Sequence, residues 1–186
     1  MIWDDLRRIV TEENANGRSS VMLDGGPAKL LNVDEGGLAE IWSASIGATL
    51  LDGVDRLADE DVRLEPSPGA IKIRWFTVPA EKESASASER EAEAAFAFAA
   101  CAATHARVDT ARHAMMHETK TLDAIILVRG SVDLLLDDGE ARSLKPGDVV
   151  IQRSTNHAWV NTGNETALLV AVLVKSPAAQ DGDEAP

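Results

Sequence analysis

Short β-forming runs bounded by turn signals recur along most of this chain, and that punctuation leaves few folds open to it. Arg8-Ile9-Val10-Thr11 and Ser19-Ser20-Val21-Met22-Leu23 flank Asn14-Ala15-Asn16-Gly17, which reads as a hairpin closed by an Asn-Gly turn. Asp24-Gly25-Gly26-Pro27 ends the second run. Further strands are predicted at Leu38 to Ser43, Val62 to Glu65 and Ala70 to Val78. In the last of these Ile71, Ile73 and Trp75 alternate with Lys72, Arg74 and Phe76, giving a mostly apolar face and a mixed one. After residue 122 the pattern tightens: Asp123 to Val128, Ser131 to Leu136, Val149 to Gln152, Ala158 to Asn161 and Thr166 to Val174, with turns at Asp137-Asp138-Gly139-Glu140 and Pro146-Gly147-Asp148. So many short strands predict an all-β barrel or sandwich.

One segment departs from this rhythm. Ala92-Glu93-Ala94-Ala95-Phe96-Ala97-Phe98-Ala99-Ala100-Cys101 is dense in alanine, which favours helix. Ser88 followed by Glu91 forms a capping-box pattern, so the helix is expected over about 88–105, with His105 capping its end. Its apolar content exceeds one stripe, which suggests packing on a barrel surface or across its mouth.

A chain of 186 residues suits one domain, expected over residues 1–175: strands over 6–79, the helix, and a barrel core over about 108–175. Residues 176–186, rich in acids, alanine and proline, read as a disordered tail. The formal charge of −13 would repel phosphate backbones and anionic lipid, so neither nucleic acid nor membrane is expected as a partner. No apolar run approaches a membrane span, and no basic, then apolar, leader opens the sequence, so cytoplasmic residence is expected. Cys101 is the only cysteine, which excludes an intrachain disulfide.

Two of the four histidines stand in patterned surroundings. One string runs His117-Glu118-Thr119-Lys120-Thr121-Leu122-Asp123 and then six residues to Gly130; the other opens with Pro146-Gly147-Asp148, places His157 ten positions after Gly147, and has Asn161 four further on. These strings resemble the two halves of the cupin signature, over about residues 112–174. The resemblance implies a jelly-roll, double-stranded β-helix barrel of the small bacterial cupin-2 kind, here with extra N-terminal strands and one Ala-rich helix. It also implies a centre at His117, Asp123 and His157. Strand alternation would turn His117, Thr119, Thr121 and Asp123 to one side, and a hairpin would return His157 beside them. Two imidazoles and a carboxylate suit one divalent transition metal, Fe, Mn, Ni or Zn, with positions left open. Met115 stands where the signature has another histidine, so the metal can also be absent.

Around this centre Thr119, Thr121, Gln152, Arg153, Trp159 and Met115 are the expected ligand contacts, with His113 at the rim. Arg112, Arg129 and Arg153 are ordinarily surface ion-pair residues, any one of which could instead hold a substrate carboxylate. Three functions stay open. The first is a metal enzyme acting on a small organic acid or ring compound, as a dioxygenase, decarboxylase, isomerase or lyase; the second is a metal-free binding or sensor module; the third is metal-free acid–base catalysis with a histidine carrying the proton and Asp123 tuning it. A homodimer is expected, paired through the N-terminal strands.

Overall fold

The computed structural model describes residues 2–33, 35–46, 56–82 and 84–177. The expected tail from residue 178 onward lies outside them. Eleven strands follow in chain order: β1 (Arg8–Glu13), β2 (Ser19–Gly25), β3 (Lys29–Val33), β4 (Gly36–Ser45), β5 (Ala70–Val78), β6 (Leu122–Arg129), β7 (Val132–Leu136), β8 (Arg142–Leu144), β9 (Val149–Arg153), β10 (His157–Val160) and β11 (Ala167–Lys175). The one α-helix among the described residues, α1 (Ala87–Ala100), lies between β5 and β6.

The turn chemistry sets most of these boundaries. Asn14 Oδ1 accepts from the Asn16 and Arg18 amides, and Gly17 takes the left-handed backbone that closes the β1–β2 hairpin. Gly130, between β6 and β7, has φ 86°, and a Cβ there would lie 2.9 Å from the Ala167 Cα. That turn needs glycine for its backbone and for its clearance.

A six-stranded sheet runs β3-β4-β5-β11-β6-β9, and a three-stranded sheet runs β10-β7-β8. The N-terminal strands β3 to β5 therefore share a sheet with the C-terminal ones, through nine paired positions of β5 and β11 from Ala70↔Lys175 to Val78↔Ala167. The space between the sheets is filled from both sides. Ile125, Leu127, Leu169, Ala171 and Leu173 come from the large sheet, and Val132, Leu134 and Trp159 from the small one. Two antiparallel sheets enclosing one apolar core form the closed, jelly-roll type of β architecture. Outside the large sheet, Trp3 packs with Ala39 and Leu168 and donates its Nε1–H to Asn32 Oδ1 at 2.7 Å. No helix of the described residues is long and apolar enough to cross a membrane.

Three expectations are corrected. The segment from Val62 to Glu65 is not a strand: its amide at Leu64 donates to Cys101 O, and its carbonyls at Arg63 and Glu65 accept from buried side chains. The capping box sits two residues earlier than expected: Ser86 caps the Glu89 amide while the Glu89 carboxylate accepts from the Ser86 amide. His105 does not cap α1, which stops at Ala100; it belongs to a separate turn, Thr104–Ala106. In β5 the mixed face points inward, with Lys72 and Arg74 buried. Trp75, from the apolar face, packs instead under the N-terminal segment.

Candidate functional site

A cavity of about 310 Å³ opens between the two sheets on one side and α1 on the other. Its wall is mostly apolar: Leu31, Leu38, Phe76, Phe98, Ile125 and Trp159 are among the lining residues. Set into that wall are His117, Thr119, Asp123, His157 and Arg74.

His117 precedes β6 and His157 opens β10, and the two backbones pair directly. Each amide donates to the other's carbonyl at 2.9 Å, so the rings emerge side by side with centroids 4.3 Å apart. The His117 ring also meets Phe98 of α1 at 5.0 Å, and the His157 ring meets Trp159 edge-on at 5.4 Å. Both imidazoles are anchored alike. His117 Nδ1 donates to Met115 O at 3.0 Å, and His157 Nδ1 to Thr155 O at 2.9 Å. A carbonyl oxygen can only accept, so each neutral ring keeps its lone pair on Nε2. Burial holds both rings neutral: it lowers the pKa of His117, and, with the repulsion two protonated rings would exert, it takes His157 down to about 3.

Asp123 behaves in the opposite sense. Its side chain is buried on the inward face of β6, and burial pushes its pKa up to about 6, against hydrogen bonds from Thr121 and Thr119 that lower it. Those two hydroxyls are 2.8 Å apart, while Asp123 Oδ1 is buried with no partner.

The structure thus brings His117 and His157 together and puts Asp123 on the same cavity wall. It does not gather the three into a metal centre: among the described residues no three His, Cys, Asp or Glu side chains are placed to hold one ion. As placed, the three side chains do not form a metal-binding set.

Of the expected ligand contacts, Thr119, Trp159 and Met115 line the cavity; Thr121, Gln152 and Arg153 are not among its lining residues. Gln152 pairs opposite Asp123 but donates to the Thr155 carbonyl and hydroxyl, fixing the loop that delivers His157. Arg153 is exposed at the end of β9, a sheet edge. Arg112 donates to the carbonyls of Leu136 and Gly139. His113 sits at the cavity wall and meets Glu81 Oε1 at 2.6 Å. Asn161 braces the β10 end by donating to Val78 O and Glu165 O, both at 2.8 Å.

Sequence reasoning missed the charged cluster on the inward face of β4 and β5. Arg74, 2% exposed, donates Nη2 to Glu40 Oε1 at 2.7 Å, and Glu40 is 1% exposed. Lys72 Nζ donates to Arg63 O at 3.1 Å and Glu65 O at 3.5 Å. The signal was present in the alternation of β5, but apolar residues inside is the stronger prior, and it selects the wrong face.

No family model matches the chain. Several curated fungal proteins share stretches with it. It is 39% identical over 71 residues to phomopsin biosynthesis cluster protein C' of Diaporthe leptostromiformis, a match covering 37% of this chain and 38% of that one. It is 50% identical over 52 residues to a cupin-domain-containing oxidoreductase of Neurospora crassa, covering 27% and 26%. The match to oryzines biosynthesis cluster protein J of Aspergillus oryzae is 40% over 73 residues, covering 38% and 40%. The chain thus spans well under half the length of these relatives. Among solved structures it is similar to the Schizosaccharomyces pombe Cnp3 cupin domain, with a TM-score of 0.45 and 13% identity over 93% of this chain and 85% of that one. A cupin 2 conserved barrel domain protein from Salinispora arenicola gives a TM-score of 0.41 and 15% identity over 80% and 82%.

The two-sheet barrel is of the jelly-roll type, and over part of its length the chain is similar to proteins named for their cupin domains.

Proposed function

We propose that the chain is an enzyme acting on a small organic acid or ring compound in this cavity, with Asp123 exchanging a proton with the ligand and His117 and His157 orienting it. The supporting observation is the contrast between the buried titratable groups. A group that exchanges protons at neutral pH needs a pKa near that pH. Asp123 at about 6 meets the requirement and His157 at about 3 does not. The roles first expected are therefore exchanged: the carboxyl carries the proton, and the neutral imidazoles accept hydrogen bonds from a ligand hydroxyl or amine through Nε2. Decarboxylases, isomerases and lyases share a step in which a carbanion or enolate gains or loses a proton, and that is the step this wall is built to serve.

Phenylpyruvate, which unites a ring, a carboxylate and an acidic C–H, is a suitable probe. The chain is expected to speed wash-in of solvent deuterium at its methylene carbon, followed by proton NMR. Asp123→Asn is expected to slow this about a hundredfold while leaving binding within a few-fold. Absence of wash-in above the uncatalysed rate, or an unchanged rate in the variant, contradicts the reading. Binding without wash-in would support the binding module instead.

The two Nδ1 anchors favour a second reading, because metal-binding histidines are oriented in the same way, by a carbonyl behind the far nitrogen. Elemental analysis of protein purified without chelator separates the two. The first reading expects a small fraction of an equivalent of Fe, Mn, Ni or Zn. A full equivalent that is lost in His157→Ala would establish the second.

A further inference from the structure

Arg74 reaches the cavity from the centre of the large sheet, on the inward face of β5. Its Nη2 is satisfied by Glu40 Oε1 and by Arg63 O. Its Nε and Nη1 are buried without partners, which leaves three N–H bonds unanswered on a cation closed off from bulk water. Unanswered donors of this kind are costly in a folded protein, and a site that binds a ligand is where they persist.

The local charge points the same way. Arg74 and Lys72 are two buried cations, and among the described residues Glu40 is the one carboxylate in ion-pair contact with either of them. The other cations on the cavity wall are occupied: Lys82 lies 3.6 Å from Glu93, and Arg90 donates to Lys82 O at 3.4 Å.

We propose that Arg74 anchors the carboxylate of the ligand, whose apolar body lies against Phe76, Phe98 and Trp159. This rests on the reading of the cavity as a small-molecule site and names the substrate class as carboxylates with an apolar or aromatic body. It also replaces Arg112, Arg129 and Arg153 in the anchoring role, since none of them is among the lining residues.

Isothermal titration at neutral pH with phenylacetate and with 2-phenylethanol tests the assignment, because the two probes share a body and differ in the carboxylate. Wild type is expected to bind phenylacetate about ten- to a hundredfold tighter, the range that one or two charge-assisted hydrogen bonds supply. The double variant Arg74→Gln with Glu40→Gln removes the ion pair from both ends, so neither charge is left buried alone. It is expected to bind both probes equally, with affinity for the alcohol unchanged. Equal binding by wild type, or a preference that survives the double substitution, overturns the role of Arg74 and leaves the cavity as a site. Binding of neither probe to wild type overturns both readings. Should the double variant show no cooperative melt, Glu40→Gln alone serves, because it frees Arg74 from its internal partner and is expected to tighten phenylacetate alone. An unchanged or weakened affinity for phenylacetate in that variant contradicts the proposal.

Discussion

Asp123 and His157 titrate in opposite directions, and folding stability should show it. The folded-state pKa of Asp123 is raised from 3.8 to about 6, so its contribution is full below the unfolded value and is lost as pH rises through about 6. His157 is lowered from 6.5 to about 3, so its contribution is full above 6.5 and is lost as pH falls toward 3. Lowering of His117 adds to the second slope. Between about pH 4 and 6 the Asp123 and His157 effects largely cancel, each worth about 1.4 kcal/mol per pH unit. Asp123→Asn removes one of them. Urea denaturation of that variant is expected to give a stability that climbs with pH across this window more steeply than wild type. Parallel curves for the two proteins would count against a buried, titrating Asp123. The two cupin-like strings picked out this carboxyl and both histidines, but the exchange of their roles depends on how deeply each is buried, which spacing does not encode.

At the level of elements, what the sequence revealed depended on whether the determining contact was local. The Asn14 to Gly17 hairpin, the Gly130 turn and the strands after residue 122 are set by residues next to them in the chain. Gly130→Ala should test this: the φ of 86° and the clash with Ala167 Cα are expected to lower stability by more than about 1 kcal/mol, read from the denaturation midpoint. The segment from Val62 to Glu65 and the orientation of β5 are set at a distance. Arg63 O is taken by Lys72 and Arg74, and Trp75 is covered by Trp3, contacts that no local window contains. Helix α1 shows both cases. Its capping box is local, although the Ser86–Glu89 pair was chosen over the neighbouring Ser88–Glu91. Its place across the cavity follows from Phe98 meeting the His117 ring, while Phe96 stays exposed.

For the molecule as a whole, of the N-terminal strands before residue 66 expected to bridge two copies, β3 and β4 are incorporated into the chain's own large sheet, while β1 and β2 form a separate two-stranded sheet. Exposed apolar side chains lie on the N-terminal strands at Ile9, Val21 and Leu30, and cluster on adjacent strands at Leu122 and Val128 on β6 and Val149 and Ile151 on the edge strand β9. We propose a homodimer through that face, since an apolar edge strand is otherwise a liability. Light scattering is expected to give twice the 19.8 kDa chain mass, and Ile151→Lys to return it to the single mass. A monomer in wild type removes the dimer. The cavity is independent of it, because its walls come from both sheets and α1 of one chain. Everything proposed for that cavity turns on a carboxyl buried there and still able to exchange a proton. Carbon-13 NMR of aspartate-labelled protein measures this directly. One side-chain carboxyl should titrate with a midpoint near 6 and be missing from Asp123→Asn; a set of aspartates that all titrate near the ordinary 3.8 would contradict it.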